Sequence, residues 1–256
     1  ERVLQQMRAC HKDLGPLELR IVAETELHSG LGTGTQLSVA IVEGILRLEG
    51  ETSTPVRLSE LSGRGKRSAL GIHGFSRGGF LLDGGKREPD SLGTLLVRVD
   101  VPEEWRILLV TPTDRTGLSG EAEVVAFQNL QAMPLMTTGE LSRLVLLEIL
   151  PALSEKNFSA FAAALHEYGA IVGDYFSEIQ GGRYAHPAMC ELVSWLREEN
   201  VTGTGQTSWG PTMFAFFEND AEVSRIANTI ENDSRWSGCR VRIARPLNRG
   251  AKIEVT

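Results

Sequence analysis

Apolar residues fall at two spacings along this chain, and the spacing assigns most of its elements. Val3, Leu4 and Met7 recur at helical intervals in a polar opening and predict a short helix over 1–10. Leu17 to Ala23 alternates as a strand does, and after a glycine-rich turn Leu37, Ile41, Ile45 and Leu48 predict one face of a helix ending near Gly50. A short helix or turn is expected at Ser59 to Gly63, then a packed element, then a strand at Phe80 to Asp83. Strands follow at Leu95 to Val101 and Arg106 to Thr111, separated by a Pro102-Glu103-Glu104 turn. From Gly120 the pattern turns helical, predicting helices at Ala122 to Met133, Gly139 to Leu153, Ser159 to Ile179 and Pro187 to Glu198. An apolar strand at Thr212 to Phe217 precedes an acidic amphipathic helix with Val223, Ile226, Ala227 and Ile230 on one face. Strands at Cys239 to Ala244 and Lys252 to Val255 close the chain. Strand, helices, strand, helix and strand from Trp105 onward predict an α+β sandwich of ferredoxin-like order. The weakest patterning, around Asp100 to Glu104, divides an N-terminal domain over 1–102 from a C-terminal one over 103–256.

The stretch that carries chemistry is ELHSGLGTGTQ, with Gly30, Gly32 and Gly34 directly before a helix. Glycine permits positive φ and close backbone approach, and a helix start points unpaired N–H groups and a positive dipole end at the same spot. Ser29, Thr33 and Thr35 add hydroxyls, so Ser29 through Thr35, Leu31 included, reads as a phosphate cradle. No lysine follows Gly34, which excludes a P-loop, and Thr35 stands where a dinucleotide fingerprint needs its third glycine. A strand-to-helix connection using the glycines for geometry alone fits equally well at this point. A second stretch, Gly63 to Gly85, places Arg64, Lys66, Arg67 and Arg77 among glycines and predicts a second anion-contacting surface.

Charge and composition narrow the classes. A net charge of −7 argues against a general nucleic-acid binder, and no apolar run is long enough to cross a membrane. Three cysteines without metal spacing read as reduced thiols, which predicts a cytoplasmic protein.

Three glycine-rich markers, Gly30-Leu31-Gly32-Thr33-Gly34, Gly78-Gly79 and Gly205 through Gly210-Pro211-Thr212, resemble those of the GHMP kinase superfamily. The resemblance implies a two-domain α+β fold, ribosomal-S5-like at the N-terminus and ferredoxin-like at the C-terminus. Kinases of the superfamily often carry a general-base aspartate seven residues before the Gly-Gly pair, and here that position is Gly71. The wording HSGLGTGTQ, GRGKRSALGIHGFSRGGFLLDGG, GLSGEAE, GDYFSEIQGG and GQTSWGPT is similar to the β-ribofuranosylaminobenzene 5′-phosphate synthase branch. A strand-rich segment usual in that branch is expected upstream of Glu1.

That branch condenses phosphoribosyl pyrophosphate with 4-aminobenzoate or 4-hydroxybenzoate and releases pyrophosphate and carbon dioxide, with Mg²⁺, in methanopterin-type carrier synthesis. The resemblance therefore implies Mg²⁺, a phosphoribosyl donor, an aromatic carboxylate and a homodimer, with no nucleic acid or membrane partner. Under it Ser29–Thr35 and Arg77 hold phosphate, Arg67 grips a phosphate or carboxylate, and Glu121 serves in proton transfer or metal binding, ahead of Asp83, Asp114 and Glu123. Ser208 and Trp209 would receive the acceptor ring, and no metal ligand is singled out. Two other readings stay open: an ATP-dependent small-molecule kinase, and a non-catalytic binder of phosphometabolites.

Overall fold

The computed structural model describes residues 2–10, 15–23, 29–114, 125–126, 128 and 130–254. The chain forms two units. The first comprises Glu1–Leu27, Gly32–Asp100 and Leu247–Thr256, and the second His28–Leu31 and Val101–Pro246.

In the first unit α1 (Arg2–Cys10), α2 (Thr33–Leu48), α3 (Pro55–Ser62) and α4 (Leu70–Arg77) precede an antiparallel pair, β1 (Phe80–Asp83) and β2 (Leu95–Val99). Its core joins Met7, Val39, Val42, Leu46, Leu58, Ile72 and Phe75. Each such side chain contributes about 1.5–3 kcal/mol by leaving water. The buried stripe of α2 therefore runs through Val39, Val42, Ile45 and Leu46, not through the expected Leu37, Ile41 and Leu48. Leu48 is 63% exposed. Helix α2 is apolar on two sides, and the side that meets α1, α3 and α4 is the one buried.

Helix α3 starts four residues before the expected Ser59, because Thr54 caps it by accepting from the Arg57 amide and Pro55 fits the first turn. No strand forms over 15–23 or 251–254, against expectation. Both segments alternate, but a strand needs a neighbouring ladder, and none pairs with them among the described residues.

In the second unit β3 (Arg106–Pro112) is central. Then come α5 (Leu135–Leu144), a π turn (Val145–Ile149), α6 (Leu150–Ser154), α7 (Phe158–Gln180), α8 (Pro187–Glu198), β4 (Thr204–Gln206), β5 (Met213–Phe217), α9 (Asp220–Asn232) and β6 (Cys239–Ala244). The sheet order is β4-β5-β3-β6 and every pair is antiparallel, which is the ferredoxin-like order. One face packs Leu108, Val110, Met213, Ala215 and Phe217 against α8 and α9. On the other, Phe216 lies 5.1 Å from Phe161 of α7, which in turn stacks 4.9 Å from Trp105.

The π turn has a local cause. Pro151 has no amide to donate four residues back, and just before it the Leu150 N–H reaches five residues back to Val145 O. The helix expected at Ala122 to Met133 lies largely outside the described residues.

Candidate active site

The three loop glycines serve three different ends. Gly30 has φ 81°, and a Cβ there would lie 2.5 Å from Thr207 O and 2.9 Å from Gly210 O. Within the second unit, then, Ser29–Leu31 lies backbone-close on the Thr207–Gly210 turn, with Ser29 buried. Gly32 has φ 70° with nothing within 4 Å of its absent side chain; it is needed for conformation, as the N-cap of α2. Gly34, in the first turn of α2, leaves room for a cation: a Cβ there would sit 3.5 Å from an Arg64 guanidinium nitrogen.

Arg64 is placed by a chain of local causes. Gly63 ends α3 in the left-handed region (φ 65°), and the Arg64 amide donates to Ser59 O. Arg64 Nε then donates to Ser38 Oγ at 3.2 Å, and Ser38 Oγ donates to Gly34 O at 2.7 Å. The guanidinium thus lies over the first turn of α2, where the first amides have no helical acceptor and the dipole is positive. Not every loop group remains available. The Thr35 and Gln36 amides both donate to Gly32 O, at 2.9 and 3.1 Å.

The first turn of α4 stands beside this helix end. Gln36 Nε2 donates to Gly71 O at 2.8 Å, and a Cβ on Gly71 would lie 2.8 Å from Thr35 Cγ2. The position where a kinase would want its aspartate is therefore partly filled by a threonine methyl. Gly71→Asp should cost roughly 1–3 kcal/mol as overpacking, and Thr35→Ser, which removes that methyl, should restore most of it. Melting of the single and double variants checks this; a Gly71→Asp variant as stable as its parent would refute the clash.

The other residues singled out from sequence divide. Arg67 is exposed, two residues ahead of Ala69, the N-cap of α4. Arg77 is not brought to the loop. It lies at the far end of α4 and lines a cavity with Glu43 and Arg47 of α2. Asp83 is a structural residue: Oδ2 accepts from the Ala69 amide at 2.7 Å and Oδ1 from the Gly85 amide at 2.9 Å. Asp83 thereby caps α4, which leaves the open helix end to α2.

Trp209 is buried and packs 4.8 Å from Phe176. Ser208 is exposed with φ 47° in the same turn. Asp114 lies 3.3 Å from His186, whose Nδ1 caps α8 by accepting from the Ala188 amide. His166 bonds Thr204 Oγ1 at 2.9 Å, and burial lowers its pKa, as expected of a satisfied histidine. His28, Glu121 and Glu123 lie outside the described residues.

Among the described residues no cluster of three His, Cys, Asp or Glu could hold a metal ion, and both Asp83 oxygens are occupied by amides. These residues do not by themselves fit a Mg²⁺ site. No described helix is long and apolar enough to cross a membrane.

Comparison with known proteins bears on the fold and the family. Residues 149–234 match the family model for the GHMP kinase C-terminal domain. Over 215 residues the chain is 32% identical to the β-ribofuranosylphenol 5′-phosphate synthase of Methanothermobacter thermautotrophicus, covering 79% of this chain and 64% of that protein. It is 29% identical to the protein of the same name from Archaeoglobus fulgidus, covering 93% and 76%. Against the solved homoserine kinase of Cytophaga hutchinsonii the TM-score is 0.61 at 16% identity, covering 89% and 69%. The chain thus has a GHMP kinase fold with a GHMP kinase C-terminal domain, and its sequence is similar to the β-ribofuranosylphenol 5′-phosphate synthases.

Proposed function

We propose that this chain is the catalytic body of a decarboxylating pentosyltransferase, which joins phosphoribosyl pyrophosphate to 4-hydroxybenzoate or 4-aminobenzoate. The observation that carries the reading is the pairing of an Arg64-covered helix end with Gly71, filled by the Thr35 methyl: an anion site without a kinase's base. The names of the relatives, which specify a ribofuranosylphenol product, favour the 4-hydroxy acceptor.

The chemistry does not need the missing aspartate. The C1–oxygen bond to pyrophosphate breaks, and a carbon–carbon bond forms between C1 and the ring carbon bearing the carboxylate. That carboxylate then leaves as carbon dioxide and returns its electron pair to the ring. What departs from the ring is carbon dioxide rather than a proton, so no base is required at that carbon.

The demand falls instead on the leaving group. The Gly34 amide in the first turn of α2 and the Arg64 guanidinium stabilise pyrophosphate as it gains charge, and preorganised donors of this kind are worth more to the transition state than to the ground state. Arg67, ahead of α4, grips the 5′-phosphate or the aromatic carboxylate in bidentate fashion. Mg²⁺ would enter with the pyrophosphate oxygens as its ligands, as this cation commonly does.

The test is a parallel incubation with Mg²⁺. One arm contains phosphoribosyl pyrophosphate and either benzoate, the other ATP and the same acceptors. Equal release of pyrophosphate and carbon dioxide, with no ADP, is expected. ADP would make the protein a kinase, and silence in both arms a binder.

A further inference from the structure

The stretches GDYFSEIQGG and GQTSWGPT are joined by a pair of glutamines, one from each, within the second unit. Gln180, the last residue of α7, is buried, and its Oε1 accepts from Gln206 Nε2 at 3.1 Å. Gln180 Nε2 donates to Arg183 O at 2.8 Å, and Gln206 Oε1 accepts from the Ala185 amide at 2.6 Å. Gln206 Nε2 also donates to Ser208 O at 3.1 Å. Both N–H groups of the Gln206 amide and its oxygen are therefore engaged, which assigns the way round that it stands. Reversed, its oxygen would face the Ser208 carbonyl and its nitrogen the Ala185 amide.

This side chain lies against the Thr207–Gly210 turn, since a Cβ on Gly210 would sit 2.8 Å from Gln206 Cδ. The turn holds Ser208 at φ 47°, a region that serine seldom occupies and that surrounding bonds must enforce. Thr207 O and Gly210 O of the same turn are the atoms that a Cβ on Gly30 would strike. Ser29–Leu31 thus rests on a turn that Gln206 braces and Gln180 anchors to the end of α7. The loop runs directly into Gly32, the N-cap of α2.

We infer that Gln180 and Gln206 are positioning residues, which fix the backbone of Ser29–Leu31 for a pyrophosphate group without touching it. They act in series: Gln180 orients the Gln206 amide, and Gln206 holds the turn on which the loop lies. The inference rests on the transferase reading only for which substrate brings the pyrophosphate.

Calorimetric titration of the whole chain with pyrophosphate and Mg²⁺ tests this, on the parent, Gln206→Met, Gln180→Met and the double variant. Methionine keeps the length of the side chain and removes its hydrogen bonds. Each single variant should bind pyrophosphate at least about tenfold more weakly, as a displaced loop implies. The number of sites should not change, whereas partial unfolding would lower that number and leave the affinity alone. The double variant should lose no more than the weaker single one, because the two residues share one path. In turnover, KM for phosphoribosyl pyrophosphate should rise by the same factor, with KM for the aromatic acid unmoved. Gln180→Met reaches the turn through Gln206 and decides the matter where Gln206→Met fails to fold. Glutamine-dependent pyrophosphate binding without any turnover would sink the transferase reading and leave this inference standing. No pyrophosphate binding by the parent, parental affinity in a folded single variant, or additive losses in the double variant would overturn it.

Discussion

Gly30→Ala is expected to destabilise the second unit by roughly 3 kcal/mol, whereas Gly32→Ala, two residues on, should cost about 1 kcal/mol. Both glycines have positive φ, at 81° and 70°, so the backbone penalty of a side chain is shared. They differ in what the new methyl group meets. At Gly30 it would lie 2.5 Å from Thr207 O and 2.9 Å from Gly210 O, and carbonyl oxygens of a tight turn cannot rotate away. At Gly32 nothing stands within 4 Å. For a chain of this size the Gly30 variant should lower the melting midpoint by about 6–12 °C. Alternatively, the loop is released locally at similar cost, visible as faster hydrogen exchange at Ser29–Leu31. Identical behaviour of the two variants would contradict the close approach.

Arg64→Ala is expected to reduce kcat/KM for phosphoribosyl pyrophosphate by about 10²–10³, the loss typical of one preorganised donor to a developing anion. The melting midpoint should move little. The side chain is exposed, and its hydrogen bond to Ser38 Oγ at 3.2 Å contributes on the order of 1 kcal/mol. Arg64→Lys keeps the charge but loses the Nε contact that aims it, and should fall between. Steady-state pyrophosphate release measures all three proteins. Parental turnover in the alanine variant would remove Arg64 from the site.

Arg64 shows where reading a sequence stops. Among Arg64, Lys66, Arg67 and Arg77, nothing local separates the residue over the first turn of α2 from one that lines a distant cavity. The distinction depends on how the α3 C-cap returns the chain to α2, a contact between residues 26 positions apart. The buried stripe of α2 escaped for the same reason: two apolar sides are present, and packing partners choose between them. Elements with dense local signals were legible to the residue. Helix α8 begins at Pro187 behind a histidine cap, and β1 and β6 carry short apolar runs between glycines and charges. The ferredoxin-like order followed from element succession alone, whereas 15–23 alternates without finding a ladder. The missing base at Gly71 was also legible, but only the structure shows that Thr35 fills its place.

The Gly78-Gly79 pair has a consequence for the order in which the molecule is completed. Gly79 N–H donates to Leu247 O at 2.8 Å, Gly78 lies against the backbone of Leu247 and Arg249, and the Ala251 amide donates to Phe75 O at 2.8 Å. Residues 247–251 thus return to the unit of residues 32–100, after the entire sheet of the second unit has been made. On the ribosome these two parts of one unit emerge on either side of the second. The Gly79 amide and the Phe75 carbonyl find these partners only once that later segment has been made, and the two glycines mark where it must seat.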